Sequence, residues 1–184
     1  MANEFYRQII HIGVGLTAVL GAVFLTRGQF LLLWGAVTVA YILSITLLKH
    51  QLRFVFAVLE REHAPFSGKG GLFFFLGVLF TVILFWDDAV LALLLLAIPD
   101  GLATLLAPLV KSPPLPYNHR KSVWGTTVFF VSAALILSTH FQQAAIFFVA
   151  FLLAAIESFD YREIPFLDDN LVIPVVAGFL LQFL

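Results

Sequence analysis

Apolar residues run along this chain in long blocks, broken at intervals by short polar stretches. The blocks lie near 6–26, 29–48, 70–86, 88–110, 122–139, 142–159 and 169–184. A helix needs about 20 mostly apolar residues to cross the hydrocarbon core of a bilayer. The pattern therefore predicts an all-α, polytopic transmembrane bundle of about seven spans, forming one integral membrane domain over 1–184. The third and seventh blocks are short, and six full spans with a re-entrant or tilted segment is the alternative. The stretch 49–66 reads differently, because Lys49, Arg53, Glu60, Arg61 and Glu62 are mixed with Leu52, Phe54, Val55, Phe56, Val58 and Leu59. That mixture predicts an interfacial amphipathic helix.

Composition agrees with the pattern. Apolar residues make up 61% of the 184, and charged residues 11%, against about 25% charged in soluble domains. Lipid solvates outward apolar faces that a water-soluble globule could not cover, so the bilayer is the first partner predicted. A net charge of −1 gives no basic field for nucleic acid, and the absence of cysteine removes disulfides, zinc–thiolate sites and thiol catalysis. The N-terminus lacks the charged, apolar and small-residue sequence of a cleaved signal, so the first block is read as a retained span. With seven spans, one side holds the N-terminus and the loops near 49–69, 111–121 and 160–168. Arg7, Lys49, Arg53, Arg61, Lys69, Lys111, Arg120, Lys121 and Arg162 fall there, and Arg27 alone falls opposite. Basic residues mark the cytoplasmic side. The expectation is a multi-pass cell-membrane protein with its N-terminus cytoplasmic and its C-terminus outside.

Polar residues inside the blocks are the candidates for chemistry. A charge at the bilayer centre costs about 2.5–3.5 kcal/mol on insertion scales and marks a functional site by default. Asp100 lies twelve residues past Asp88, roughly 18 Å along a helix rising 1.5 Å per residue. Thr104, Ala107 and Lys111 follow at helical spacing and predict a polar or small face leading to the cytoplasmic loop. The competing reading is an Asp paired to a neighbouring helix for structure alone. Glu4, Arg7 and His11 share a face of the first span. Gly13, Thr17 and Gly21 read as a helix-packing stripe. Glu157 ends the sixth block, and Asp168, Asp169 and Asn170 open the seventh, where acidic residues also serve as helix caps.

Between Lys111 and Ser122, Pro113, Pro114 and Pro116 forbid a continuous helix. Asn118, His119, Arg120, Lys121 and Ser122 then cluster before the fifth block, Ser122 as a predicted N-cap and Gly125 one turn on. Cations, a hydroxyl and a helix N-terminus make a phosphate site; an ordinary positive-inside loop is the plainer reading. The Lys121-Ser122 pair lacks the glycines of a Walker loop, and the Gly13-Val14-Gly15 string lies inside an apolar helix with no strand before it. Folded on the predicted orientation, all these groups reach the cytoplasmic half. Acidic groups for Mg²⁺ beside cations for phosphoryl charge, within an apolar wall, predict an intramembrane site for an anionic ligand.

Four stretches resemble the phytol kinase and dolichol kinase family, within the wider group of CTP-dependent lipid kinases and phosphatidate cytidylyltransferases. Glu4-Phe5-Tyr6-Arg7 through His11 resembles the family's Glu-x-x-Arg-Lys-x-x-His start. Asp100-Gly101-Leu102-Ala103 resembles Gly-Asp-Gly-Leu-Ala. Leu115 to Ser122 with Gly125-Thr126 resembles Leu-Pro-Tyr-Asn-x-x-Lys-Ser-x-x-Gly-Ser. Glu157-Ser158 with Leu167 to Leu171 and Pro174 resembles Glu-Ser…Asp-Asp-Asn-Leu-x-x-Pro. Gln8 stands where the family has Lys, Pro99 where it has Gly, and Ala107 and Val110 near its Gly-Arg-Arg-x-Gly stretch. The resemblance implies transfer of the γ-phosphate of CTP, or another nucleoside triphosphate, to a long isoprenoid alcohol such as phytol or geranylgeraniol. It implies Asp100, Lys121, His11 and Arg7 in catalysis. Lys111, Asn118, Arg120, Lys121, Ser122, Gly125 and Asn170 would lie at the nucleotide, and Asp100, Asp169 and Glu157 at Mg²⁺. The alternatives are a cytidylyltransferase making CDP-lipid and a small transporter with an acidic coupling residue. The sequence leaves the oligomeric state open.

Overall fold

The apolar blocks fold as helices in a computed structural model that describes residues 2–48, 51, 68–142, 144–161 and 164–184. We number them α1 (Ala2–Phe24), α2 (Arg27–Leu47), α3 (Lys69–Leu84), α4 (Ala89–Leu95), α5 (Gly101–Leu106), α6 (Val123–Ser138), α7 (Ala145–Glu157) and α8 (Asp169–Leu181). Leu96–Asp100 forms a π-helical turn joining α4 to α5, and a 3₁₀ turn over Ala107–Leu109 ends that rod. The expected amphipathic helix over 49–66 lies outside the described residues, apart from Gln51.

Three helical stretches are long and apolar enough to cross a membrane by length and composition: Glu4–Phe24, Arg27–Leu47 and Ala89–Leu109. Four others, Lys69–Leu84, Val123–Ser138, Ala145–Glu157 and Asp169–Leu181, are apolar but shorter. The expectation of seven full spans is thereby corrected. Thirteen residues at 1.5 Å each reach only about 20 Å, short of a hydrocarbon core of about 30 Å. The apolar blocks overstated the helices because residues such as Phe85, Trp86 and Phe159 continue the apolar run beyond the helix ends. The apolar helices associate the protein with a membrane.

The rod of α4, the π turn and α5 is the axis of the bundle. Leu91, Ala92, Leu93, Leu95, Leu96 and Ala97 are buried along it, and α1, α6 and α8 pack around it. The π turn has a cause in Pro99, which has no N–H and whose ring would strike the carbonyl one α-turn earlier; widening the turn relieves the clash. Close approach fixes α1 against this turn. A Cβ on Gly15 would come within 2.5 Å of Ala97 Cβ, and one on Gly101 within 2.6 Å of Ile12 Cδ1. The packing face of α1 is therefore Gly15, Ala18, Val19 and Ala22, not the Gly13–Thr17–Gly21 stripe; Gly13 has open space around it, although Gly21 does meet Phe30.

The helices alternate in direction, so the bundle has two ends. Arg27 Nη2 donates to Ile83 O at 2.5 Å, which places the α1–α2 and α3–α4 turns together at one end. The opposite end holds the start of α1, the start of α3, the end of α7 and the start of α8. It also holds a feature the all-α expectation lacked: Pro114–Leu115 (β1) pairs antiparallel with Asn118–Ser122 (β2). The prolines that bar a helix there also hold the chain extended, and an extended segment that turns back can pair with itself. Ser122 then caps α6, accepting from Gly125 N at 3.1 Å, as expected from its type and place.

Candidate functional site

The hairpin is clasped to the end of α7. Asn118 Nδ2 donates to Ser158 O at 2.7 Å, and Asn118 Oδ1 accepts from Arg120 N at 3.1 Å. Tyr117 and Ser158 share a hydroxyl hydrogen bond of 2.8 Å, and Arg120 Nη1 stands 3.3 Å from Asp160 Oδ2. With both strand ends held, the Lys121 side chain is directed at the carboxylate of Glu157, with which it forms an ion pair, and stands 3.9 Å from Asp169 Oδ2. Asp100 is close enough for its charge to act on Lys121 as well. Across the site, His11 Nε2 lies 3.4 Å from Asp100 Oδ2 and 3.4 Å from Leu96 O. The His11 ring meets Phe74 edge-on at 5.1 Å.

Burial gives these contacts their weight. Asp100, Glu157 and Asp169 are 2%, 1% and 4% exposed, so each carboxylate has little water and depends on protein partners. Burial works to lower the Lys121 pKa, but Glu157, Asp169 and Asp100 outweigh it and hold the ammonium above the ordinary lysine value. Burial, and then Asp169, raise the Tyr161 phenol. Asp100 Oδ1, Glu157 Oε2 and Asn170 Oδ1 are buried with no hydrogen-bond partner.

A second anchor comes from the start of α3. Lys69, 3% exposed, donates from Nζ to Tyr161 O at 2.8 Å and Ile164 O at 2.6 Å. Gly70 O accepts from Asn170 Nδ2 at 3.2 Å. Together these hold the link between α7 and α8 and set the angle at which Asp169 and Asn170 enter. A Cβ at Gly77 would overlap the backbone at Asn170 and reach Leu171 Cα at 3.0 Å, so glycine permits that crossing. Asp168 caps α8, accepting from Asn170 N at 3.2 Å.

The structure thus brings His11, Asp100, Lys121, Glu157 and Asp169 into one neighbourhood, with the Asn170 side chain next along the chain and bonded to Gly70 O. Other expected residues stand elsewhere in this arrangement. Lys111 follows the 3₁₀ turn, where Val110 is extended, and is exposed; it is not on a helical face with Asp100. Arg7 is paired with Glu4, with Nε 3.1 Å from Glu4 Oε2. Asn118, Ser122 and Gly125 form the clasp and the cap. Sequence reasoning missed Lys69 as more than a topology signal. It also missed the buried Gln8, which donates to Glu4 Oε1 at 3.0 Å, together with Tyr117, Ser158 and Asp160. A polar residue in an apolar first turn was the available signal for Lys69; nothing local pointed to the rest. A hollow of about 300 Å³ between α3 and α8 is lined by Phe80, Leu84, Leu171, Val172, Val175 and Val176, all apolar, and includes neither Asp169 nor Asn170.

Among the described residues no three His, Asp or Glu side chains stand as a ready metal group. The donors nevertheless suit Mg²⁺ in kind. They are hard oxygens, some of them unpartnered, and Mg²⁺ is usually held by one or two carboxylates plus substrate phosphates.

No model of a known protein family matches the chain, and no solved structure matches it. An uncharacterized protein of Methanocaldococcus jannaschii is 30% identical over 185 residues, covering 98% of this chain and 93% of that protein. The chain belongs to one family with it. Phytol kinase 1, chloroplastic, of Arabidopsis thaliana is 29% identical over 130 residues. That match covers 59% of this chain and 41% of the plant protein, and shows a distant relation to the phytol kinase family.

Proposed function

We propose, on the premise of that distant relation, that the chain is a membrane-embedded lipid kinase. It transfers the γ-phosphate of CTP, or another nucleoside triphosphate, to the hydroxyl of a long isoprenoid alcohol. One observation carries the reading: Asp100, Lys121, Glu157 and Asp169, from widely separated stretches, meet at one end of an apolar bundle. A cation among buried carboxylates, beside a His–Asp pair, supplies the two things phosphoryl transfer needs: charge stabilisation and a place for the acceptor's proton.

The site divides accordingly. On the His11 side, Asp100 takes the proton of the acceptor hydroxyl as its oxygen bonds to the γ-phosphorus and the bond to the β-phosphate oxygen breaks. His11 orients Asp100 through Oδ2, leaving Oδ1 for the substrate. On the hairpin side, Lys121 neutralises the transferring phosphoryl oxygens, and Arg120 and Arg7 lie further out along the approach of the nucleotide. Asn118, Ser122 and Gly125 act at one remove, by placing Lys121. Mg²⁺, held through Asp169, Glu157 or Asp100, would neutralise the phosphate oxygens when bound. The site end faces the cytoplasm in this reading, since Arg7, Lys69, Lys111, Arg120 and Lys121 all stand at it and Arg27 stands at the other.

The test is label transfer by purified protein in detergent with Mg²⁺ and phytol or geranylgeraniol, and separately with phosphatidate. Label from the γ-position of CTP should enter the alcohol and leave CDP. Label from the α-position entering a phosphatidate product, with release of pyrophosphate, would make the protein a cytidylyltransferase instead.

A further inference from the structure

Three carboxylates buried in an apolar bundle need positive charge nearby, because an unpaired buried charge is far more costly than a paired one. His11 Nε2 faces Asp100 Oδ2 on one side. Among the described residues, Lys121 is a cation in contact with both Glu157 and Asp169. This lysine differs from its partners in two ways. Its side chain is 24% exposed while those of Glu157 and Asp169 are 2% and 6% exposed, so it has a way out toward water. It also hangs from a strand whose backbone is fixed on both sides, by Asn118 on Ser158 O and by the Ser122 cap. Its flexible four-carbon stem can therefore swing while the hairpin stays in place.

The acceptors also outnumber what an ammonium satisfies. Lysine offers three donors, yet Glu157 Oε2, on the carboxylate that Lys121 pairs with, remains buried without a partner. A divalent cation with an octahedral oxygen shell suits such a surplus better than an ammonium does.

We infer that Lys121 holds the place of the divalent cation: its ammonium neutralises Glu157 and Asp169 until a metal–nucleotide arrives, then passes those carboxylates to the metal and takes the phosphates itself. The inference rests on the nucleotide reading of this site and adds an order to it. Metal alone binds poorly, because it would have to drive Lys121 from its partners with nothing to receive it. Phosphate supplies the receiving charge, so metal and nucleotide bind with positive coupling. The device also keeps a buried acidic site from filling with stray divalent ions.

The experiment measures Mn²⁺ binding to the purified full chain in detergent, read as loss of the free-ion paramagnetic resonance signal, with no nucleotide or lipid present. The parent should bind weakly. Lys121→Met, which keeps an unbranched stem and removes the charge, should bind at least about tenfold tighter, since removing one positive charge a few ångströms away favours a cation by at least that factor. Lys121→Gln, which keeps a donor for Glu157, should show the same direction and serves where the methionine variant does not accumulate. Arg27→Gln, an equal change of net charge at the other end, should leave binding as in the parent. Tight Mn²⁺ binding by the parent, or no gain in a folded Lys121 variant, would overturn the inference. A chain without kinase activity could still show the gain, and an active kinase could lack it, so the two readings fail separately.

Discussion

At the end of the bundle away from the site, charge lies at or near water, even where Arg27 reaches Ile83 O across 56 residues. Arg27 and Asp87 are exposed, Asp88 is half-buried, and Thr26 caps α2 through its own near neighbour Gln29. Burial and Asp87 raise the Asp88 pKa, but water is at hand. At the site end the charges are buried and their partners are distant in the chain: Lys121 bonds Glu157 at a separation of 36 residues, Lys69 reaches Ile164 across 95, and Asn170 reaches Gly70 across 100. Charges near water do not depend on a buried charged partner. Buried charges drawn from five helices and a hairpin exist together only because the fold assembles them.

That contrast can be broken by substitution, beginning where the effect should be largest. Lys121→Met leaves Glu157 buried without its cation, and the loss of stability should be about 3–5 kcal/mol at neutral pH, read as a lowered melting temperature in detergent. Arg120→Ala removes a half-exposed pair and should cost no more than about 1 kcal/mol. Equal losses would mean that the buried pair has no special standing. Next comes Asn118→Ala, which unclasps the hairpin from Ser158 and should cost about 1–3 kcal/mol, with a larger proportional fall in turnover because Lys121 is no longer placed.

Gly77→Ala forces α3 and α8 apart beside Asn170 and should cost about 1–3 kcal/mol. Gly13→Ala, in open space on α1, should be neutral or stabilising by up to about 1 kcal/mol. A neutral Gly77→Ala would show that the crossing is looser than the geometry requires. The smallest effect concerns pH. Lys121 has its pKa raised in the fold, so the stability it lends is complete below the unfolded lysine value of about 10.4. It is lost only as pH climbs through the higher folded value. The parent's melting temperature should show no Lys121-dependent decline between about pH 7 and 9.5, and a decline there that Lys121→Met abolishes would reverse the sign of the coupling.

How much of this could be read in the sequence follows the same division. Apolar runs and cap chemistry are local, so the helices, the Ser122 cap and the Asp168 cap were legible. So was the gathering of Asp100, Lys121, Glu157 and Asp169 at one end, because alternation of helices fixes which ends meet. The shortness of α3 and α8 was legible in the short third and seventh blocks, but that of α6 and α7 was not, since hydropathy does not distinguish an apolar helix from an apolar turn. The π turn was hidden because Pro99 is compatible with a kink, a stop or a widened turn, and only packing against Gly15 and Ile12 selects among them. Lys111 was misplaced for the same reason: the π and 3₁₀ turns shift the spacing on which its face was reckoned. The structural use of Asn118 and the burial of Lys69 depend on partners 40 and more residues away, beyond any local pattern.

On the proposed function, the buried charges at one end perform phosphoryl transfer and the exposed or half-buried charges at the other do not. The measurement that tests it most directly compares γ-label transfer from CTP to an isoprenoid alcohol by the parent, Asp100→Asn and Asp88→Asn, each shown to be folded by an unchanged melting transition. Asp100→Asn keeps shape and removes the proton acceptor, so turnover should fall by about 10²–10⁴-fold, while Asp88→Asn keeps the parental rate. Near-parental turnover by a folded Asp100→Asn would contradict the account.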